Sequence, residues 1–396
     1  MNSILCRRFF TGMIVTGSCT ATAIHCINRY SLVSVKLPFP DLFLDALSAT
    51  DPKSTAGTGS LAEVFVLVLH LLYGYCRRTF SKQGANLTDK RPFFIVNPHS
   101  GAGSTGHYWP DWQKRIQHVL GKVEYACTKR ILHATSLARE ALSRGYDRII
   151  AVGGDGTLNE VLNGFFDDGE PCCPGAALAY IPNGTGADFS RTLGFHGRTV
   201  DEHIDRLLSA SVTAVDCGEV RFVNVNGEET NRLFINESSL GFSANTAAAV
   251  NKASKHFRGK LPFLIGVVRC LSTLKNPLLR ISVEGKLVHE SPTLLVAVTN
   301  GKYFGGSMMI APYAKINDGL LDIIVISRMS RLTLLRKIKS IYSGQHLNEP
   351  EVTALQGKNV HISAVEDEVL LEMDGEQPGK LAADYRIAKK TIPFVY

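Results

Sequence analysis

A glycine-rich loop, Gly153-Gly154-Asp155-Gly156-Thr157, is the first place in this sequence where the residue types indicate chemistry. Its glycines let the backbone approach a ligand closely, so that successive N–H groups can point at phosphate oxygens near a helix start. Asp155 does not suit a purely anion-binding loop, because its carboxylate repels phosphate unless a cation or a proton intervenes. We therefore expect Asp155 to coordinate Mg²⁺ or to relay a proton from an acceptor hydroxyl. A turn that uses Asp and Gly only for its backbone geometry is the alternative.

Further polar turns could serve the same ligand. Residues 97–101 (NPHSG) and residues 182–189 (PNGTGADF) each follow an apolar segment. Three such turns at strand ends indicate a binding site more strongly than any one of them. In Asp374-Gly375-Glu376, two acids on either side of a glycine can share a water and a proton near a phosphate. An Asp-Gly hairpin turn is the alternative there.

A dinucleotide site is a second interpretation of the first turn. The run from Gly101 to Gly106 has glycines spaced G-x-G-x-x-G, and Glu124 lies near the spacing of a ribose-binding acid. Trp109-Pro110 counts against it, because these residues fall where the helix of a dinucleotide fold should already be packed. A P-loop is excluded, since no Gly-Lys with the required upstream glycine is followed by Ser or Thr.

The elements that must position these turns alternate between strand and helix from about Arg91 to Asp216. Continuous apolar runs predict buried strands, and apolar residues at helical spacing predict the helices between them. The turns then meet at the carboxyl edge of a parallel sheet, where open α/β sheets bind ligands. The strands are predicted at 92–97, 123–128, 148–152 and 176–181, and the helices at about 109–120, 133–143 and 158–166.

From Cys217 onward the pattern changes to strands, which predicts a β-rich, sandwich-like second domain. A helix over about 244–275 could line an acyl-chain pocket. In a second helix, 331–342, we expect Leu334, Leu335, Ile338 and Ile341 to cover the open face of the sandwich, although its basic residues also suit an anionic membrane. The strands are predicted at 220–225, 232–236, 280–283, 293–299, 320–327, 359–364 and 369–373.

Length and composition describe a globular protein of two domains and an extension. The chain has 396 residues, of which 45% are hydrophobic and 20% are charged, and a formal charge of +7 that is spread along its length. Nucleic-acid binding is therefore not expected, whereas an anionic nucleotide or membrane fits. Nine cysteines without a C-x-x-C pair argue against a disulfide framework and a zinc module and favour a reducing compartment.

The N-terminal region differs in kind. Residues 1–40 contain basic, Ser, Thr and Cys residues but no acid, which favours a mitochondrial presequence over a secretory signal or an uncleaved anchor. The apolar run Phe9–Ile24 is short for a membrane span, and 64–75 predicts a helix that packs on the catalytic body or lies on a membrane. Ser48–Ser60 has the composition of a linker. We expect an intracellular, membrane-associated protein.

The quoted motifs resemble the diacylglycerol kinase catalytic-domain family, which includes bacterial lipid kinases and eukaryotic sphingoid-base kinases. The likeness extends from about Arg91 to the C-terminus, and residues 300–308 particularly resemble plant sphingoid-base kinase-like members. The resemblance implies an α/β ATP-binding domain (91–216), a β-rich lipid-substrate domain (217–380) and a segment (381–396) that returns to the first domain, after an extension over 1–90. It also implies a lipid substrate, with ATP and Mg²⁺ in the cleft between the two domains. Whether the protein forms a homodimer is left open.

Carried over by position, the resemblance assigns roles to individual residues. Asp155, Asp374 and Glu376 are the candidate catalytic acids, and either acid of the last pair could be the base. A structural Mg²⁺ site would use the carboxylate of Asp318 with the carbonyls of Lys315 and Leu320. The nucleotide contacts would be Asn97, Pro98, His99, Ser100, Gly101, Thr128, Gly153, Gly154, Gly156, Thr157, Leu158, Asn159, Glu160, Gly184 and Thr185.

The lipid is predicted less sharply than the reaction. Sphingosine kinases of the family place an Asp where this chain has Asn245, which offers no charge to an ammonium group. Ala187 also stands where bacterial members have Asn. We therefore favour a diacylglycerol-like substrate, with a sphingoid base next. A NAD kinase shares the glycine loop, but residues 300–308 and 374–376 count against it.

Overall fold

A computed structural model describes residues 90–209, 211–242, 275–366 and 368–396, together with three N-terminal strands. The chain divides into two compact units, Met1–Cys76 and Arg77–Tyr396. In the first unit, β1 (Gly12–Ser18), β2 (Ala21–Asn28) and β3 (Ser31–Lys36) pair as an antiparallel meander in that order. The predicted linker, the helix at 64–75 and the helix at 244–275 lie outside the described residues.

The second unit contains the remaining strands and six α-helices of the described residues, with short 3₁₀ turns at Gly101–Gly103 and Gln345–Asn348. The helices are α1 (Ser104–Leu120), α2 (His133–Ser143), α3 (Asp155–Gly164), α4 (Asp188–Thr192), α5 (Val200–Ser209) and α6 (Arg331–Tyr342). The strands are β4 (Pro92–Val96), β5 (Glu124–Cys127), β6 (Arg148–Gly153), β7 (Phe166–Asp167), β8 (Glu170–Pro171), β9 (Ala177–Pro182), β10 (Val212–Val215), β11 (Gly218–Asn224), β12 (Glu229–Phe234), β13 (Glu237–Gly241), β14 (Leu278–Val283), β15 (Lys286–Thr299), β16 (Leu321–Ser327), β17 (Val352–Gly357), β18 (Asn359–Ala364), β19 (Leu370–Met373), β20 (Glu376–Ile387) and β21 (Ile392–Val395).

The first sheet is open and mainly parallel, in the order β5-β4-β6-β9-β21-β10, and only β10 runs antiparallel to its neighbour. Strand β4 shows why both faces are covered, because successive side chains point to opposite sides. Phe93 and Ile95 pack in one core with α2 and α3, whereas Phe94 and Val96 pack in another with α1 and α5. The predicted parallel sheet is confirmed.

The second sheet closes on itself. Strands β20, β18, β14, β15, β13 and β19 follow one another, and β19 pairs again with β20, while β11 and β12 extend from β20 and β16 and β17 extend from β15. Inside this circuit lies a core that includes Leu240, Ile281, Val296, Ile362 and Leu371. The prediction of a β-rich second domain is confirmed, with a barrel-like closure that the sequence pattern did not indicate.

Strand β21 connects the two domains. It lies between β9 and β10 in the first sheet, although the whole second domain precedes it in the chain. The preceding strand β20 belongs to the second sheet as far as Ile387, so the return begins later than the predicted residue 381. Phe394 is fully buried in the first core, against the ring of Phe189.

Helix α6 has the predicted bounds but not the predicted apolar face. Leu334 and Ile341 are buried against β15 and β16, as expected for a helix that covers the sheet. Leu335 is instead 52% exposed. Residues 334 and 335 lie about 100° apart around a helix, so both cannot face a single flat sheet. Among the described residues, we find no helix with the length and apolarity required to cross a bilayer.

Candidate functional site

The three polar turns meet at the carboxyl edge of the first sheet and are joined by hydrogen bonds. Asn97 follows β4, and its Nδ2 donates to Thr157 Oγ1 in the glycine loop at 2.9 Å. Asn183 follows β9; its backbone N donates to the Gly153 carbonyl at 2.6 Å, and its Nδ2 donates to Thr105 Oγ1 at 2.8 Å. The turns are therefore one interconnected polar surface.

Glycine is required where these turns approach each other. A Cβ on Gly184 would lie 2.5 Å from Gly154 Cα, and one on Gly153 would lie 2.6 Å from Thr157 Oγ1. Gly101 has φ +59 and approaches the Asn183 carbonyl, so it needs both the freedom and the space of glycine. The backbone is thereby held close enough to receive a phosphate chain.

The remaining predicted nucleotide contacts are placed differently from one another. His99 and Thr185 are exposed at the turns, and Ser100 Oγ donates to the Asn97 carbonyl at 3.0 Å. Thr128 is buried at the end of β5, where its N donates to the Val96 carbonyl. The Leu158 side chain is fully buried in the first core, which leaves only its backbone for a ligand. Pro98 accepts from the Gly106 N–H through its carbonyl.

Asp155 begins α3, and both of its carboxylate oxygens accept backbone hydrogen bonds. Oδ2 accepts from Asp188 N at 3.0 Å and Oδ1 from Phe189 N at 3.3 Å. Burial, followed by the nearby charge of Asp188, raises the pKa of Asp155 to about 7. Asp155 therefore caps the short helix α4 and holds the third turn against the glycine loop, and its role in metal or proton chemistry stays a prediction.

Glu160 also uses its carboxylate within the protein. Its Oε1 accepts from Leu132 N at 2.9 Å and its Oε2 from Ala134 N at 3.0 Å, which satisfies N–H groups at the start of α2. Burial raises the pKa of Glu160. This side chain therefore anchors the loop that follows β5, and its contact with a nucleotide stays a prediction.

Asp374 is a saturated acceptor in the second domain. It is buried and accepts from the backbone N–H groups of Ile235, Asn236 and Glu237 at 3.0 to 3.2 Å, and from Asn159 Nδ2 at 2.7 Å. Burial raises its pKa to about 6, against the opposing effect of these hydrogen bonds. With its lone pairs engaged, this carboxylate is better suited to hold strands together than to take a proton from a substrate.

Glu376 is placed differently, at the mouth of the cleft between the two domains. Its side chain is 26% exposed, and its Oε2 forms an ion pair of 2.6 Å with Arg232 Nη2. Its Oε1 points toward the glycine loop, 3.4 Å from where a Cβ on Gly156 would stand. Of the two acids in this motif, Glu376 is the more exposed, and its carboxylate is the one that lies against the candidate phosphate-binding loop.

Helix α3 carries the link between the two domains. Asn159 Nδ2 donates to the Leu233 carbonyl at 2.8 Å as well as to Asp374, and Asn159 Oδ1 accepts from Arg232 Nη2 at 2.8 Å. Asn163, one turn later, donates to the Leu233 carbonyl and accepts from its N–H, both at 2.9 Å. The side chain of Asn159 thus binds the second domain, and its contact with a nucleotide stays a prediction. Arg232 was missed, because nothing near it in the chain indicates a site.

Asp188 was also missed as a functional residue in its own right. Its carboxylate accepts from the backbone N of Gly306 and of Ser307, both at 2.7 Å, and lies 3.5 Å from Arg191 Nε. Burial raises its pKa. Because Asp155 binds the Asp188 N–H, a chain of carboxylate contacts runs from the glycine loop to the segment 300–308 of the second domain.

The predicted metal turn lies beside two buried acids that sequence reasoning missed, Asp216 and Asp322. Gly319 N donates to Asp216 at 2.7 Å and Leu320 N to Asp318 at 3.2 Å. Burial raises the pKa of Asp216 and raises that of Asp322 to about 6, and the charge of Asp318 acts in the same direction on both.

The chemistry of these donors fits a hard cation. A buried oxygen of Asp322 has no hydrogen-bond partner in the described part of the chain, and a cation would satisfy it. Within the same residues, no three acidic, His or Cys side chains converge as a metal cluster, so carbonyls such as those predicted at Lys315 and Leu320 would have to complete the set.

The dinucleotide interpretation does not fit the geometry. Pro110 lies inside α1 and Trp109 is buried, so the helix is already packed at this point and the predicted objection from this pair is wrong. Two other features exclude the site. Glu124 is the first residue of β5, so it lies at the amino ends of the parallel strands, whereas the glycine turns lie at their carboxyl ends. Its side chain forms an ion pair of 3.1 Å with Arg144. Strand β4 is the first strand of its domain, and its neighbours are the second strand, β5, and the third, β6. In dinucleotide-binding folds the first strand lies between the second and the fourth.

Comparison with family models gives two matches, one to each half of the second unit. Residues 91–220 match the model described as the diacylglycerol kinase catalytic domain. Residues 236–395 match the model described as the YegS C-terminal NAD kinase beta sandwich-like domain. The two matches together span both described domains of the second unit.

Individual proteins give the same result. A diacylglycerol kinase of Bacillus subtilis (strain 168) is 30% identical over 305 residues, which cover 75% of this chain and 93% of that protein. One from Staphylococcus aureus (strain Newman) is 31% identical over 298 residues, covering 75% and 89%. Among solved structures, a candidate diacylglycerol kinase from Bacillus anthracis str. Sterne superposes with a TM-score of 0.61 at 27% identity, covering 78% of this chain and 95% of that one.

Proposed function

Because this chain belongs to the diacylglycerol kinase family and is a lipid kinase, we propose that it transfers the γ-phosphate of ATP to the free hydroxyl of a diacylglycerol-like lipid. The observation that carries the proposal is the position of Glu376. Its Oε1 faces Gly156 of the glycine loop from the second domain, and its side chain is 26% exposed. A base in this position lies where a lipid hydroxyl would meet the terminal phosphate.

The proposed reaction assigns one role to each group. The turns at 97–101, 153–157 and 183–185 bind the phosphate chain through backbone N–H groups. Glu376 accepts the hydroxyl proton as the lipid oxygen bonds to the γ-phosphorus and the bond to the β-γ bridging oxygen breaks, releasing ADP. Arg232 holds the Glu376 carboxylate by its 2.6 Å ion pair and is itself held by Asn159.

Magnesium enters the proposal in two places. When bound with the nucleotide, Mg²⁺ would neutralise charge on the phosphate oxygens. At the second domain, Asp216, Asp318 and Asp322 would hold a structural ion. The charge of Asp318 acts to raise the pKa of both Asp216 and Asp322, and a buried oxygen of Asp322 has no hydrogen-bond partner among the described residues, which favours a cation beside these acids.

The choice of diacylglycerol over a sphingoid base rests on charge. A sphingoid base carries an ammonium group, and Asn245 offers it no carboxylate. The curated relatives named above are also diacylglycerol kinases. Sphingoid base is the second candidate, favoured by the run at 300–308.

Radiolabelled ATP tests the proposal directly. The purified chain is incubated with ATP, Mg²⁺ and, separately, diacylglycerol, monoacylglycerol, sphingosine, ceramide or NAD. We expect labelled phosphatidate as the main product. Labelled sphingoid phosphate in its place would reassign the substrate, and the absence of any labelled lipid would reject the proposal.

Two variants make the assay specific to the cleft. Glu376→Gln should remove the label from lipid, because an amide cannot accept the proton. Glu228→Gln is the matched control, since Glu228 is an exposed glutamate in the turn between β11 and β12 and should leave transfer unchanged.

A further inference from the structure

Helix α6 presents two different apolar faces. Its inner face packs Leu334 and Ile341 against β15 and β16. Its outer face carries Leu332, Leu335 and Tyr342, whose exposed fractions are 57%, 52% and 43%. Residues 332, 335 and 342 recur at helical spacing, so they form one stripe along the helix. Apolar residues grouped in this way on a surface mark an interaction site more often than single exposed ones do.

The outer face is basic as well as apolar. Arg336 and Lys339 are exposed beside the leucines, and Arg328 is exposed just before the helix. The sequence has no acid from Arg331 to Tyr342. Two acids that follow the helix in the chain, Glu349 and Glu351, each bind Lys337 at 2.7 Å. The stripe of leucines is therefore bordered by positive charge.

The C-terminal end of α6 is tied to the candidate site. Met309 N donates to the Ile341 carbonyl at 2.9 Å. Met309 follows the segment whose Gly306 and Ser307 N–H groups bind Asp188. The pKa of Tyr342 is raised by burial and then by the charge of Asp188, which shows that the tyrosine lies within electrostatic reach of that carboxylate. The C-terminal end of the outer face therefore lies beside the contacts that join the two domains.

We propose that the outer face of α6, formed by Leu332, Leu335, Arg336, Lys339 and Tyr342, docks the enzyme on an anionic phospholipid bilayer. The leucines enter the boundary between headgroups and acyl chains, Tyr342 lies at the interface, and the two basic side chains bind lipid phosphates. The inference rests on the proposed function, since a diacylglycerol-like substrate resides in a bilayer. Docking by this face brings the cleft to the substrate.

Charge decides between a bilayer and a second copy of the chain as the occupant of this face. Two copies joined through α6 would oppose Arg336 and Lys339 with the same positive residues, which disfavours the contact. An anionic bilayer is complementary to the same charges, and each basic residue near such a surface strengthens binding.

Vesicle sedimentation of the full chain tests the inference. The vesicles are phosphatidylcholine alone or phosphatidylcholine mixed with phosphatidylglycerol, without ATP. We expect binding to the anionic vesicles that weakens with salt. Arg336→Gln with Lys339→Gln should lower the partition coefficient about 30-fold at low salt. Leu332→Ser with Leu335→Ser should lower the partition coefficient about 10-fold or more, because each leucine loses the burial of about half of its side chain in the bilayer.

A matched control uses apolar residues of similar exposure elsewhere. Leu287 and Val288 are 58% and 41% exposed at the start of β15, beside the exposed Lys286. Strand β15 is extended, so this hairpin lies about 35 Å from the end of the strand that leads to the site. Leu287→Ser with Val288→Ser should bind vesicles like the wild type. Equal loss in this control, or wild-type binding by both α6 variants, would overturn the inference.

A second readout separates this inference from the proposed function. Short-chain dioctanoylglycerol, dispersed in water, should be phosphorylated at the wild-type rate by the α6 variants, whereas long-chain diacylglycerol in anionic vesicles should be phosphorylated about 10-fold more slowly or worse. If the wild type phosphorylates neither lipid, the proposed function is rejected, and vesicle binding alone then decides whether the outer face of α6 docks on a bilayer. If the α6 variants change their oligomeric state but bind vesicles like the wild type, the outer face contacts a second copy of the chain, and the proposal of docking on a bilayer is overturned.

Discussion

At the scale of single residues, the two acids of the 374–376 motif have different environments and therefore different expected roles. Asp374 accepts four hydrogen bonds in a buried position, whereas Glu376 reaches the cleft with one oxygen toward the glycine loop. Sequence alone could not separate them, because the difference arises from partners on α3 and β12 that are distant in the chain.

Replacing each acid by its amide should separate the two roles. We expect Glu376→Gln to lower kcat about 100-fold or more with little change in the KM for ATP, since a general base acts in the transition state. Asp374→Asn should instead lower the free energy of unfolding by about 1–3 kcal/mol, because an amide N–H₂ faces backbone donors that lose their acceptor. Steady-state kinetics and urea unfolding of both variants measure this. A stable but inactive Asp374→Asn would assign the base to Asp374.

Asp155 should make stability depend on pH. Its folded pKa of about 7 lies above the ordinary value of 3.8, so the folded protein retains a proton that the unfolded chain releases. The stabilising contribution of this group is complete below the unfolded pKa and is lost as the pH rises through about 7. We expect the free energy of unfolding of the wild type, minus that of Asp155→Asn, to fall over this range in urea titrations. A difference that is independent of pH would contradict the raised pKa.

At the scale of elements, the site depends on how closely loops approach. The Gly154 and Gly184 turns are in backbone contact, and glycine patterns in the sequence correctly predicted turns at these positions. What the pattern could not supply is which turn touches which, since that depends on the order of β4, β6 and β9 in the sheet. The same limit applies to Glu160 and Asn159, which the motif assigns to the nucleotide but whose side chains bind the start of α2 and β12.

A single methyl group should test the contact between the turns. Gly184→Ala would place Cβ 2.5 Å from Gly154 Cα, so the turns must separate. We expect the KM for ATP to rise about 10-fold or more and the free energy of unfolding to fall by about 1–3 kcal/mol. Gly175→Ala is the control, because a Cβ there meets nothing within 4 Å. An unchanged KM in Gly184→Ala would show that the nucleotide does not use this contact.

At the scale of the whole molecule, the long apolar runs were sufficient to predict a parallel sheet followed by a β-rich domain. They did not predict closure of the second sheet through β19 and β20, or β13 and β17. Burial of β13 depends on neighbours far along the chain, and β17 is mostly exposed, so neither has a strong local pattern. The fold class was therefore easier to predict than the strand pairings that close the second sheet.

The contribution of β21 to the first domain can be measured by one substitution. Phe394→Ala should lower the free energy of unfolding by about 3–5 kcal/mol, because Phe394 is fully buried in the first core. Both tryptophans of the chain lie in α1, so their fluorescence reports on that domain. Val225→Ala, at a position 79% exposed, is the control. Unfolding of Phe394→Ala at the wild-type urea concentration would show that β21 is dispensable.

The position of β21 also has a consequence for biosynthesis. The ribosome delivers β4 to β10 first and then the entire second domain, and only afterwards the strand that fits between β9 and β10. Until then, the first sheet has an unfilled gap beside β9, with unpaired backbone groups on strands that are already out of the exit tunnel. The first sheet can therefore reach its final strand order only after the second domain has been made. A chain that is still being translated therefore has an incomplete first sheet until its last strand, β21, has left the ribosome.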